Sequence, residues 1–281
     1  MPRRGLALLL LLLAGCAAMA RSATQGFAED LSLAILDQDD LATVRDGAPA
    51  YLLAVDALIE GDPDNPQLLL TGASLYGSYA SAFVEEEARA QRLRDRALSY
   101  ARRALCIAKS RVCLALEGPF DAFEASLVGA KADDVPVLYG FGAAWAGWVQ
   151  ARPGDWAAVA QVPKIEALMG RVVALDESYD HAGAHLYLGV LFTQRPADLG
   201  GRPEEGRAHF ERAWMLSGER HLMVKVLQAR YYARLVFDRP LHDRLLREVL
   251  EADPRTSGLT LSNTLARNEA RRLLDGSEEF F

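Results

Sequence analysis

From Leu31 onward nearly every apolar residue recurs three or four positions after another, a spacing that admits helices and little else. Apolar residues at i, i+3, i+4 and i+7 line one face of a 3.6-residue helix, whereas a half-buried strand needs alternation. Alanine, leucine and arginine, all strong helix formers, dominate, and β-branched runs bounded by turn residues are missing. Turn punctuation recurs at Gly61-Asp-Pro-Asp-Asn-Pro66, Gly118-Pro119, Arg152-Pro-Gly-Asp155, Gly200-Gly201-Arg-Pro203 and Asp253-Pro254. The segments between are about 12 to 20 residues, the length of ordinary helices. The expected fold is all-α.

Even spacing calls for a repeat test. A tetratricopeptide repeat is a 34-residue helix–turn–helix with small or apolar residues at positions 7, 8, 11, 20, 24 and 27, and often proline at 32. Setting Ala174 at 27 puts Ala167 at 20, Arg171 at 24 and Tyr179 at 32. Counting on places Leu188 at 7, Gly189 at 8 and Phe192 at 11. An inserted loop over Gln194–Pro203 then lets Gly206, Phe210 and Ala213 take 20, 24 and 27. The next unit has Leu227 at 7, Tyr231 at 11, and Leu246 and Pro254 at 24 and 32 after two inserted residues. Arg171 and Gln228 break the pattern. Two further units, Leu68–Leu105 and Val137–Ala174, are degenerate. The expected architecture is an array of helical hairpins, a degenerate tetratricopeptide-like domain over 31–281. Its small residues let the helices approach closely, so that each pair buries its apolar face on the next.

The N-terminus carries an address. Arg3 and Arg4 precede an apolar run from Gly5 to Ala14, too short for a hydrocarbon core that needs about 20 helical residues. Charge followed by a short apolar core is the layout of a secretory signal. The run ends in Leu13-Ala14-Gly15-Cys16, which looks like a bacterial lipobox. Residues 1–15 are therefore expected to be removed, leaving Cys16 as the lipid attachment site, with 16–30 a polar tether. Two or three acyl chains would anchor stably where one would not. Ala17, rather than aspartate, follows the cysteine; by resemblance to the Gram-negative sorting rule this favours the outer membrane and a chain hanging in the periplasm. In that oxidising compartment Cys106 and Cys113 could pair. On one continuous helix seven residues rise about 10.5 Å, beyond the ~7 Å limit between bridged Cα atoms. A disulfide therefore requires a turn near Lys109-Ser110; two buried free thiols are the alternative.

Composition narrows the function classes. Lys+Arg 31 against Asp+Glu 38 gives a net charge of −7, and no basic stripe marks a nucleic-acid partner. Three cysteines without a CxxC pair make neither a disulfide scaffold nor a zinc ribbon. There is no GxSxG elbow, P-loop or GxGxxG, so no enzyme activity and no cofactor are expected. His181-Ala-Gly-Ala-His185 would place two imidazoles on one helix face with Glu177 a turn earlier, but it lacks the glutamate of HExxH. His185 also falls where repeats carry a packing residue, so no metal site is expected. Carboxylates such as Asp133-Asp134 and Glu85-Glu86-Glu87 read as solvated helix ends. The aromatics say more. Tyr76, Tyr79 and Phe83 share one helical stripe, and Tyr139, Trp145 and Trp148 lie on the next first helix among glycines 140, 142 and 147. First helices line the concave surface of a repeat array, so these six either wall an apolar ligand cavity or fill the hairpin interior. If they wall a cavity, at least two should border the largest pocket, Trp145 and Trp148 foremost.

Several of these segments together resemble the TRAP transporter T-component family: Leu75-Tyr-Gly-Ser-Tyr-Ala-Ser-Ala-Phe83, Ala143-Ala-Trp-Ala-Gly-Trp148, Ile165-Glu-Ala-Leu-Met169 with Leu175-Asp-Glu-Ser-Tyr179, and Gly200-Gly-Arg-Pro-Glu-Glu205 with Ala208-His-Phe-Glu-Arg-Ala213. The likeness runs in order from roughly Leu31 to Leu274 behind the lipobox. No single motif is diagnostic; their succession is. The resemblance implies a periplasmic lipoprotein accessory of a tripartite ATP-independent transporter, with cryptic tetratricopeptide-like repeats. It also implies a homotrimer, a partnership with a periplasmic substrate-binding protein, and a ligand that is hydrophobic if there is one. A scaffold lipoprotein assembling envelope complexes through its repeats is the alternative.

Overall fold

The structure is a computed structural model and describes residues 30–281. The signal segment, Cys16 and the tether through residue 29 lie outside the described residues; the chain is already helical at Asp30. Among the described residues there is no strand. Helices α1 (Leu41–Gly61), α2 (Pro66–Phe83) and α3 (Glu87–Ala108) form the first layer. Short α4 (Ser110–Ala115) and α5 (Phe120–Leu127) lead to α6 (Val135–Gln150), and α7 (Trp156–Val159) to α8 (Val162–Leu175). The hairpin of α9 (Tyr179–Phe192) and α10 (Pro203–Leu216) follows. The chain ends with α11 (Met223–Leu227), α12 (Arg239–Glu251), α13 (Thr260–Asp275) and α14 (Ser277–Phe280).

The helix starts follow from the punctuation. Asn65 accepts hydrogen bonds from the amides of Gln67 and Leu68 with Pro66 as the first helical residue, and Asp155 does the same for Ala157 and Ala158. Each cap satisfies amides that the helix cannot. At Lys109 (φ −137°, ψ 64°) the chain breaks between α3 and α4. That break brings Cys106 and Cys113 to a Cα separation of 4.9 Å, and their sulfurs are joined.

Consecutive helices pack as neighbours, α2 on α3, α6 on α8 and α9 on α10. One apolar core runs from α1 through α9, and two smaller ones sit under α9–α11 and α11–α13. The repeat register holds in the α9–α10 hairpin: Gly189 faces the Phe210 ring, and Phe210 and Ala213 are fully buried. Leu246 is fully buried as well. Elsewhere the register needs correction. On α8 the buried face is Ile165, Leu168, Met169 and Val172, while Ala167 and Arg171 are half-buried and Ala174 is exposed. Those three look onto a shallow groove beside Leu127 and Val128 because α5, inserted between the hairpins, displaces the face that a plain repeat would cover. Arg171 breaks the pattern for a reason: its guanidinium donates to the carbonyls of Ala130 (2.6 Å) and Val128 (3.2 Å), tying that insertion to α8. After α11 the chain forms a π turn over Gln228–Ala233. The wider turn rotates the inward face, so Ala229, Tyr232 and Ala233 are buried while Leu227 and Tyr231 are only half-buried.

The two ends of the described chain meet. Asp37 accepts from the Gly258 amide at 2.5 Å, and Arg255 reaches Asp39 at 3.5 Å. Asn263 holds the adjoining turns: fully buried, it accepts from the Leu222 amide and donates to the carbonyls of Arg220 and Pro254.

Candidate functional site

The entry to α9 is the most distorted backbone in the structure. Asp180, His181 and Ala182 have φ of 49°, 55° and 62°, three left-handed residues in succession. The left-handed region costs a side-chain-bearing residue roughly 1–2 kcal/mol, and such strain persists only where its surroundings hold it. Gly183 follows, and a β-carbon there would overlap the Tyr139 hydroxyl. The close approach of α6 to this turn therefore depends on glycine.

The reversal parts the two histidines that the sequence would have put on one face. His181 turns to His221, with ring centroids 6.3 Å apart. His185 turns to α10, where its Nδ1 lies 2.7 Å from the Nδ1 of His209. Glu177, gripped by Arg212, stands 3.5 Å from His185 Nε2, too long for a strong hydrogen bond. Burial, and then the facing His185, pushes His209 down to about 4; burial and the neighbouring His181 take His221 to about 4. Burial also lowers His185 against the pull of Glu177. The contact thus joins neutral rings, one nitrogen donating to the other. Among the described residues no group of three or more His, Cys, Asp or Glu is arranged to hold a metal ion.

Of the six aromatics singled out by spacing, most are tied into the interior. Tyr76 and Tyr79 are buried, and the Tyr76 hydroxyl donates to Asp56 at 2.7 Å beside Arg96. Phe83 is half-buried against Tyr79. Trp145, 4% exposed, packs against Phe123 and Phe141 and donates from Nε1 to Gln161 at 2.6 Å. Trp148 is half-buried, donates to Asp95 and carries Arg152 over its ring at 4.5 Å. Two surface clefts stand out, one beside Asp37, Arg255 and Thr260 and one beside Leu127, Val128 and Gly170; none of the six lines either. The two tryptophans expected at a pocket wall are packing and hydrogen-bonding residues instead.

Tyr139 differs. Its half-buried ring meets those of Tyr179 and Tyr187 edge to face, with centroids 5.3 and 6.1 Å away. Burial and the Asp180 carboxylate both disfavour ionisation of the three hydroxyls. Burial first, and then Asp180, raises Tyr139 well above its usual value and Tyr187 to about 12. All three rings pack against the main apolar core, the Tyr139 hydroxyl lies against Gly183, and none of the three lines either surface cleft. Sequence spacing missed Tyr179 and Tyr187 because they sit either side of the left-handed turn. The available signal was compositional: aspartate and histidine tolerate positive φ better than most residues.

A family model described as TRAP transporter T-component matches residues 37–281, nearly the whole described chain. The chain belongs to that family. No curated protein matches it. As a T-component it is an accessory of a TRAP transporter. Among the described residues of this T-component no helix is long and apolar enough to cross a membrane.

Proposed function

We propose that this T-component is a periplasm-facing lipoprotein, anchored through Cys16 in the outer membrane, that docks the substrate-binding protein of its transporter and holds an apolar ligand. The observation that supports the ligand reading is the cluster of half-buried Tyr139, Tyr179 and Tyr187 rings around the left-handed turn, with the Asp180 carboxylate interacting with Tyr139. An apolar body would lie on the ring faces while a hydroxyl of the ligand bonds to Asp180. The α-helical array supplies the extended surface on which hairpin repeats bind proteins, and a homotrimer would bring three such surfaces together.

The decisive experiment is a titration of the mature protein with its cognate substrate-binding protein, with and without a hydrophobic fluorophore such as 1-anilinonaphthalene-8-sulfonate. The reading requires the two proteins to bind and the fluorophore to be bound by the wild type but not by Tyr139→Ala. Absence of any complex removes the proposed docking of the substrate-binding protein, and equal fluorophore binding by Tyr139→Ala removes the ligand reading. Light scattering that returns a monomer mass rejects the trimer. Cys16→Ala must leave the protein unprocessed or out of the membrane fraction; normal processing and membrane recovery rule out the anchor.

A further inference from the structure

The helix that passes through the π turn ends at Phe237 in a double-bonded cap. The Asp238 amide reaches back to the Ala233 carbonyl (2.9 Å) and the Phe237 amide to the Arg234 carbonyl (3.3 Å), leaving Phe237 left-handed at φ 58°. Such caps ordinarily carry glycine at the left-handed position. This chain follows that rule one hairpin earlier. At the end of α10 the Glu219 amide bonds to Trp214, the Gly218 amide to Met215, and Gly218 sits at φ 63°. At Phe237 the same geometry holds a strained aromatic residue with 69% of its surface exposed. Neither helix capping nor burial accounts for a phenylalanine there.

Its neighbours form one edge of the molecule. Phe237 lies 6.2 Å from Phe280 and 5.6 Å from Phe281, centroid to centroid, and Val236 and Phe280 are exposed as well. The Arg234 guanidinium covers Phe280 at 4.2 Å. Its Nε is buried without a hydrogen-bond partner, and among the described residues Arg234 makes no ion pair. Arg230 and Arg272 both bind Glu269, at 3.3 and 2.5 Å. Around the Arg234 guanidinium, Arg230 and Arg272 share the one carboxylate of Glu269, while Glu278, on the helix of Phe280, pairs with Arg239 at 3.7 Å. Desolvation and the two flanking arginines disfavour the charge on Arg234, a penalty that an incoming anion would relieve. Phenylalanine and arginine are both enriched at protein–protein interfaces relative to the rest of the surface.

From this edge we infer a docking surface for an acidic protein partner: Phe237 with Phe280 forms the apolar centre, and Arg234 with Arg230 and Arg272 receives carboxylates. Resting on the docking role proposed above, the inference assigns this edge to the substrate-binding protein. The guanidinium of Arg234, which has no ion pair among the described residues, draws a carboxylate of the partner, and the rings exclude water once it arrives. Strain at Phe237 is what presentation of that ring costs the free protein.

The test uses the mature protein, its cognate substrate-binding protein, and calorimetry at low and high salt. Phe237→Gly is the informative variant because glycine suits the backbone. It should raise the melting temperature and weaken the complex at least ten-fold, a combination that a purely structural residue would not give. Arg234→Gln should weaken the complex and flatten its salt dependence; its own melting curve reports whether the fold is intact. Wild-type affinity in a folded Phe237→Gly protein overturns this surface while leaving the docking role in place. No binding by the wild type overturns both. A changed mass of Phe237→Gly alone, by light scattering, makes the edge a contact between copies of this chain and overturns the inference too.

Discussion

Gly189 offers the sharpest test of how the hairpin of α9 and α10 is held. A β-carbon at this position would lie 2.7 Å from Cε1 of Phe210 and 2.9 Å from Cδ1 and Cζ, with Phe210 fully buried. Carbon atoms in good contact sit about 3.5–4.0 Å apart, so Gly189→Ala must push the ring or the helix away by close to an ångström. Overpacking a filled core costs roughly 1–3 kcal/mol. Against that, alanine in a helix interior is favoured over glycine by about 0.5–1 kcal/mol. The net expectation is a loss of about 0–2.5 kcal/mol, seen as a melting-temperature fall of up to roughly 10 °C. Gly189→Leu should lose more. The control is a double-mutant cycle. Phe210→Leu alone opens a cavity and is destabilising, but in the Gly189→Ala background it removes the clash, so the pair should couple by about 0.5–3 kcal/mol. Urea and thermal unfolding followed by circular dichroism measure all four proteins. Were Gly189→Ala to stabilise by the full propensity gain, with additive effects in the cycle, the close contact across this hairpin would be refuted.

His209 and His221 make stability depend on pH. Both are held near 4 in the fold against an unfolded value near 6.5, so their contribution is complete above about 6.5 and lost as pH falls toward 4. By pH 5 linkage gives about 2 kcal/mol lost per histidine; urea midpoints should fall accordingly, and a His209→Gln/His221→Gln protein with an unchanged slope between pH 8 and 5 would sink this account. Arg171→Leu would be nearly neutral or mildly stabilising if partial exposure of repeat position 24 were all that mattered; Arg171 is half-buried, but the change should cost about 1–2 kcal/mol because two carbonyls lose their donor, and an unchanged melting temperature contradicts that. Reduction of Cys106–Cys113 frees a short loop and should lower stability by about 2 kcal/mol, a shift that dithiothreitol must fail to produce in Cys106→Ser/Cys113→Ser.

The tyrosine cluster behind the ligand reading was only partly legible. Tyr139 could be found by its place on a first helix, but Tyr179 and Tyr187 could not, since a 3.6-residue period does not survive three left-handed residues between them. The same turn defeats the i,i+4 reading of His181 and His185, whose partners are His221 and His209. Trp145 and Trp148 show the opposite failure. Their spacing is helical, as read, yet whether a helical stripe faces a void or a core depends on what arrives opposite it: here Gln161, Phe123 and Asp95.

By itself the sequence determined the helices, many of their boundaries and the repeat register that carries Gly189 and Phe210; it left the turn near Lys109 conditional on a Cys106–Cys113 bridge. All of these rest on neighbours a few residues apart or on a repeat that copies one local geometry. Tertiary structure decided the rest. Asp37 meets Gly258 across the whole array, Asn263 ties two distant turns, and Arg171 reaches the carbonyls of an inserted helix. Helical propensity and period act within a turn or two of chain, whereas these partners are chosen by how whole hairpins stack. The inserted helix α5, the left-handed turn before α9 and the π turn after α11 each rotate the face that follows. The angle of each rotation is set by packing against elements that no local pattern encodes.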